Sequence, residues 1–100
     1  MINTENSVIE LTNETVGKLI SPRLSEILKT YTNREERFEV SDKTEMSNSI
    51  VNQVIARQST LTDGNSEAVK ELVKIAFRNC NKAQDDSISS MQFLADFFID

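Results

Sequence analysis

SEAVKELVKIAFRNCNKA, residues 66–83, carries the clearest periodicity in the chain and decides the fold class. At about 100° per residue, Val69, Leu72, Val73, Ala76, Cys80 and Ala83 fall on one side of a helix, with Phe77 at its edge. Lys70, Lys74, Arg78 and Lys82 fall directly opposite. The pattern is that of an amphipathic helix with a defined inner face. Its start is also written in the chain. Asp63-Gly64 suits a turn, Asn65 or Ser66 can cap, and Glu67 and Glu71 occupy the first turns, where the helix dipole favours anions.

Upstream, Met46, Ile50, Val51, Val54 and Ile55 spread over roughly half of a helix circumference, which predicts a helix from near Thr44 that is buried on two sides. Asn48, Asn52, Gln53 and Arg57 share its remaining surface. The short connection at 61–65 pairs this helix with the 66–83 helix as a central hairpin. Further back, Ser21-Pro22 is a helix start: Ser caps, and Pro suits the first helical position but cannot continue a preceding ladder. Leu24, Ile27, Leu28 and Tyr31 give that helix its stripe. Before it, NSVIELTNETVGKLIS at 6–21 reads as a first helix from near Thr4. Val8, Leu11, Thr12, Thr15, Val16 and Leu19 share one face, widened by Ile9 and Ile20.

Residues 32–42, TNREERFEVSD, lose the period. Either Arg34, Glu35, Glu36 and Arg37 extend the preceding helix by solvated turns, or Phe38 and Val40 alternate with Glu39 and Ser41 in a very short strand. At the other end, a polar joint at 81–86 with Asp86 or Ser87 as a cap leads into SISSMQFLADFFID. Ile88, Met91, Phe93, Leu94, Ala95, Phe97, Phe98 and Ile99 cover nearly the whole circumference of this last element. Only Ser89, Gln92 and Asp96 mark a polar gap. The expected architecture is all-α: one small domain over 1–100, a compact bundle of four to five short helices.

The totals agree. Two Gly and one Pro are few for a protein of hairpins and tight turns. Ile, Leu, Val and Phe make up 28 of the 100 residues, enough for a folded core. The net charge of −5 is uneven, because residues 1–17 and 83–100 carry acids and no base, while all 11 Lys and Arg lie between them. An acidic chain with a near-neutral middle is poorly suited to general nucleic-acid binding, which depends on neutralised phosphates. A single Cys80 excludes an internal disulfide and reads as a small buried thiol suited to a reducing compartment. No run of ~18 apolar residues and no basic-apolar leader is present, so the expected location is cytoplasmic.

The chain has no His, which removes imidazole bases, His metal ligands and Ser-His or Cys-His nucleophiles. Gly17 and Gly64 stand alone and form no phosphate-cradling loop. Glu35-Glu36 and Asp85-Asp86 are paired acids, but neighbours on a helix point about 100° apart and no apolar residues are interleaved to desolvate them. No catalytic, cofactor or metal residue is assigned, and the expected protein is not an enzyme.

Three binding readings remain. The first is occupation of a partner protein's surface by a regulator, adaptor or inhibitor, with the C-terminal segment as the interface through Met91, Phe93, Leu94, Phe97, Phe98 and Ile99. The same segment would serve a homodimer seam or complete the chain's own core. A composition rich in Asn, Ser, Lys and Ile suits an AT-rich genome such as that of a bacteriophage or mobile element, where small inhibitors of host nucleic-acid enzymes occur. The second reading is a nucleic-acid-binding dimer using Arg57, Lys70, Lys74, Arg78 and Lys82, although Glu67 and Glu71 pair with this stripe. Over 37–80 the order of a short alternating segment, a helix, a turn and a second helix loosely resembles the ribbon-helix-helix DNA-binding proteins. The outward positions of such a ribbon would be Arg37, Glu39 and Ser41, and a central Glu is unfavourable against a phosphate-lined duplex, so the resemblance is set aside. The third reading is an acidic decoy for a DNA-binding site, built from Glu5, Glu10, Glu14, Glu35, Glu36 and Glu39, which requires these carboxylates on one face.

Overall fold

The computed structural model describes residues 8–82 and 87–99. Its longest element, α4 (Asp63–Lys82), begins where Thr62 and Asn65 bond each other reciprocally. The Asn65 N–H donates to Thr62 Oγ1 at 3.1 Å and the Thr62 N–H donates to Asn65 Oδ1 at 2.8 Å. The Asn65 amide donates once more to the Thr60 carbonyl at 3.0 Å. Asn65 is buried, and these bonds replace the water it gives up while satisfying an N–H the first turn leaves over. The helix thus starts ahead of the expected Asn65 or Ser66 cap, and Gly64 lies inside its first turn. Ala68, Val69, Leu72, Val73, Ala76, Phe77 and Cys80 follow as the buried stripe. Ala83, expected on that stripe, lies outside the described residues, as do residues 83–86 of the polar joint with the Asp86 cap.

All four other helices pack on α4. Helix α1 (Pro22–Tyr31) starts as its sequence indicates, with Ser21 Oγ accepting from the Leu24 N–H and Pro22 in the first turn, and it buries Leu24, Ile27 and Leu28. It stops at Thr32. The ambiguous segment is neither an extension of α1 nor a strand: it is a separate helix, α2 (Arg34–Lys43). Asn33 and Glu36 form a capping box, the Glu36 N–H donating to Asn33 Oδ1 at 2.8 Å and the Asn33 N–H to Glu36 Oε1 at 2.9 Å. Arg37, on the first turns of α2, then reaches back over the end of α1. It donates to the Thr32 carbonyl at 3.0 Å, the Lys29 carbonyl at 3.2 Å and Thr32 Oγ1 at 2.9 Å. One guanidinium therefore serves carbonyls that the end of α1 leaves without partners.

Helix α3 (Asn48–Ile55) begins at a Ser47 cap, later than the expected Thr44, and buries Val51, Val54 and Ile55. Helices α2 and α3 end alike. After α2, Glu45 takes φ 59°, the Met46 N–H donates to the Ser41 carbonyl at 2.9 Å and the Glu45 N–H to the Asp42 carbonyl at 3.3 Å. After α3, Arg57 takes φ 60°, with Gln58 N–H to Gln53 carbonyl at 2.8 Å and Arg57 N–H to Val54 carbonyl at 3.1 Å. These are Schellman endings with non-glycine residues at the left-handed position. Arg57 offsets its strain by donating from Nε to the Ile20 carbonyl at 2.7 Å.

The N-terminal expectation is corrected. Residues 8–21 are not helical: they form an irregular strap with turns, and residues 4–7 of the expected helix lie outside the described residues. Asn13 has φ 68° and Gly17 φ 94°, both incompatible with a continuing right-handed helix. Thr12, Thr15 and Val16, all β-branched, add little helical preference to oppose them. The strap is stitched down instead. The Gly17 N–H donates to the Leu61 carbonyl at 2.7 Å, the Leu61 N–H to the Lys18 carbonyl at 2.8 Å, and the Glu10 N–H to the Phe97 carbonyl at 2.9 Å. The last of these belongs to an isolated antiparallel bridge between Ile9 and Phe98, and no strand occurs among the described residues.

Helix α5 (Ser87–Ala95) packs on α4 and leads into this bridge. Leu94 and Phe97 are buried, and the Phe98 ring lies 4.8 Å from that of Phe77 on α4. The core is thus a single cluster drawn from the strap, all five helices and Leu61.

The two glycines separate by backbone. Gly17→Ala is expected to cost about 1–2 kcal/mol, since its φ is positive. Gly64→Ala is expected to stabilise by about 0.4–1 kcal/mol, because an added Cβ would meet only Thr62 Oγ1 at 3.7 Å. Urea midpoints of the two variants check both signs.

Candidate functional site

The irregular strap creates the most promising site. Tied to Leu61 at one point and to Phe97 at another, it bridges over the start of α4 and leaves a hollow of about 420 Å³ beneath it. Ile9 and Leu61 are the buried part of its lining, and Leu11 is half-buried. Val16 and Ile99 stand at its walls 52% and 54% exposed. Glu10, Glu14 and Asp63 add three carboxylates, against one cation, Lys70. Lys70 already lies 3.4 Å from Glu67, and Glu14 Oε1 accepts the Ser21 N–H at 2.8 Å, which fixes that carboxylate beside the apolar lining. An apolar centre with a charged edge is the anatomy of a protein-binding surface, and the charge here is mainly negative.

The residues expected at an interface from the C-terminal segment divide. Leu94 and Phe97 lie in the core, whereas Met91, Phe93 and Phe98 are half-buried against it. Phe93 also sits under the Arg23 guanidinium, 6.0 Å from ring centroid to carbon. Ile99 faces the hollow and Ile88, at 62%, is the most exposed apolar side chain of α5. Of its apolar residues the segment therefore gives the central ones to its own fold and exposes those at its ends.

The basic stripe is largely neutralised in place. Lys74 Nζ lies 3.2 Å from Glu71, which also receives Lys43, and Arg78 lies 3.8 Å from Glu36. With Lys70 on Glu67 and Arg57 held on the Ile20 carbonyl, Lys82 is the stripe's one cation with no partner among the described residues. The ribbon of the DNA-binding resemblance is also missing, because 37–41 is part of α2. The decoy's carboxylates disperse: Glu10 and Glu14 border the hollow, Glu35 and Glu39 line another on α2, and Glu36 caps α2 and accepts from Asn79. Glu5 lies outside the described residues.

Burial pushes the Glu71 carboxyl up, but hydrogen bonds and charges from Lys43 and Lys74 outweigh it and hold the group below its ordinary value of 4.5. Burial likewise pushes the Cys80 thiol up to about 11, against the opposing charge of Arg23, so Cys80 stays protonated at neutral pH. Among the described residues no three of His, Cys, Asp and Glu lie close enough to hold a metal ion, and no helix is long and apolar enough to cross a membrane. Comparison with protein-family models, curated proteins and solved structures finds no match.

The hollow was not visible in the sequence, since reading 6–21 as a helix placed Leu11 and Val16 on an inner face. The available signal was Asn13 and Gly17, residue types that accept the left-handed backbone they adopt here.

A carboxyl held low in the folded state contributes stability above the ordinary carboxylate range and loses it as pH falls through the lowered value. Wild type should therefore lose more stability between pH 7 and pH 3 than Glu71→Gln does, by less than about 1 kcal/mol given the solvent around Lys43. Urea midpoints at the two pH values measure the difference; equal losses would contradict the pairing.

Proposed function

We propose that this protein acts without catalysis, as a regulator, adaptor or inhibitor that occupies a partner protein's surface through the hollow under the strap. The observation that carries the reading is the combination of exposed Val16 and Ile99 with the three carboxylates Glu10, Glu14 and Asp63 around one apolar lining. Apolar side chains exposed around one hollow favour a contact surface where singly scattered ones do not, and the acidic border selects what can bind. The complementary partner presents an apolar side chain flanked by Lys or Arg. A nucleic-acid enzyme is one such partner, because its substrate-binding surface must be basic. Inhibition would then follow from covering that surface.

Self-association along α5 is the weaker form of the same reading. With Leu94 and Phe97 inside the fold, a homodimer seam would rest on Ile88, Met91 and Phe93. Nucleic-acid binding is not supported by a comparable feature, given the partners already held by Lys70, Lys74, Arg78 and Arg57.

A peptide-array screen with the full chain tests the groove. Peptides with an apolar residue between basic ones should be enriched, and Val16→Asp should weaken their binding about tenfold or more, as loss of an apolar anchor does, while leaving the urea midpoint unchanged. Enrichment of acidic peptides, or binding indifferent to Val16→Asp, would contradict the assignment.

A further inference from the structure

A second hollow, on the outer side of α2, is lined by groups the fold leaves idle. Phe38 is 61% exposed, although Val40 and Ser41 beside it are buried. Glu35, Phe38 and Glu39 lie within about 100° of one another around the helix. Together with Arg34 and Asn48 they line a space of about 650 Å³. Glu35, Glu39 and Arg34 make no ion pair or side-chain hydrogen bond among the described residues, in contrast to Glu36, Glu67 and Glu71.

Asn48 adds an independent observation. Its Oδ1 is the one buried side-chain nitrogen or oxygen atom among the described residues with no hydrogen-bond partner. A carbonyl taken out of water without a donor costs about 1–3 kcal/mol, and because this oxygen is shielded as it stands, only an amide turned toward the hollow would present it to a donor there.

The lining thus offers two free carboxylates, a carbonyl that becomes available when the Asn48 amide turns, and an aromatic face, with Arg34 as its single opposing charge. All of the first four groups favour a cation that can also donate hydrogen bonds. An ammonium could pair with the carboxylates, but it is strongly hydrated and has no flat face to lay on a ring. A guanidinium is planar, weakly hydrated and carries five N–H donors in a fork, so it can stack on Phe38 and bond to its sides together.

We propose that this hollow is a receptor for an arginine side chain of a partner protein. The guanidinium stacks on Phe38, pairs with Glu35 and Glu39, and donates to Asn48 Oδ1 after rotation of the Asn48 amide toward it. The site shares no residue with the hollow under the strap, so it can be tested and can fail separately from the proposed function.

The test is a two-dimensional NMR titration of the full chain with N-acetyl-arginine methylamide, its lysine counterpart and its norleucine counterpart. The arginine compound should give saturable shifts in the millimolar range, centred on the Phe38 and Asn48 side chains. The lysine compound should bind about threefold to fivefold more weakly and the norleucine compound should not bind. Phe38→Ala should weaken arginine binding by at least about threefold with an unchanged urea midpoint, and the double variant Glu35→Gln, Glu39→Gln should do the same with a midpoint lowered only slightly by the loss of a first-turn acid. Equal binding of arginine and lysine, shifts spread over all the acidic groups, variants that bind like wild type, or no saturable shift would each overturn the proposal.

Discussion

The structure depends on the burial of one helix from every side. The stripe of α4 runs from Asn65 to Cys80, and Leu72, Val73, Ala76 and Cys80 have no solvent exposure. Twenty residues at about 1.5 Å each make a rod of about 30 Å, close to the 31 Å longest extent of the molecule. A rod of that length cannot be covered by one neighbour in so short a chain, so α1, α2, α3 and α5 each cover part of it. The strap and the segment after α5 then meet where Ile9 pairs with Phe98, and the same strap forms the hollow proposed for partner binding.

The covering helices have 8–10 residues each, too short to persist alone in water. Their ends are accordingly well furnished. Ser21, Asn33 and Ser47 cap three starts, Arg37 serves the end of α1, and Glu45 and Arg57 accept left-handed backbone so that α2 and α3 can close. Several charged side chains are committed within the fold. Glu14 holds Ser21, Glu36 holds Asn33 and Asn79, and Glu71 receives two lysines. Among the charges left uncommitted are Glu10 and Asp63 under the strap and Arg34, Glu35 and Glu39 on the outer side of α2.

The parts legible in the sequence were those with a strong period or a strong cap. The stripe of α4 and the Ser21-Pro22 start of α1 could be read directly. Helix α2 could not, because it buries only Val40 and Ser41 and shows almost no amphipathic pattern. Its signature was local instead: Asn33 followed three residues later by Glu36, a capping box read as loose surface charge. The strap misled for the opposite reason. Val8, Leu11, Val16 and Leu19 have helical spacing, yet Asn13 and Gly17 break the backbone, and hydrophobic spacing says nothing of such breaks. The free state of Glu35, Glu39 and Asn48 Oδ1 could not be read at all, since it is defined by what other residues fail to supply.

The most direct measurement is urea unfolding of the full chain beside one ending at Asp86, followed by circular dichroism. Leu94 and Phe97 are core residues here, and loss of two large buried side chains costs on the order of 5–10 kcal/mol, comparable with the whole stability of a domain this size, about 5–15 kcal/mol. The shortened chain should show no cooperative transition, because the face of α4 that carries Phe77 would be left open. A shortened chain that keeps its helical signal and a midpoint near that of the full protein would show that α4 needs no cover from α5, and would contradict the account of the fold.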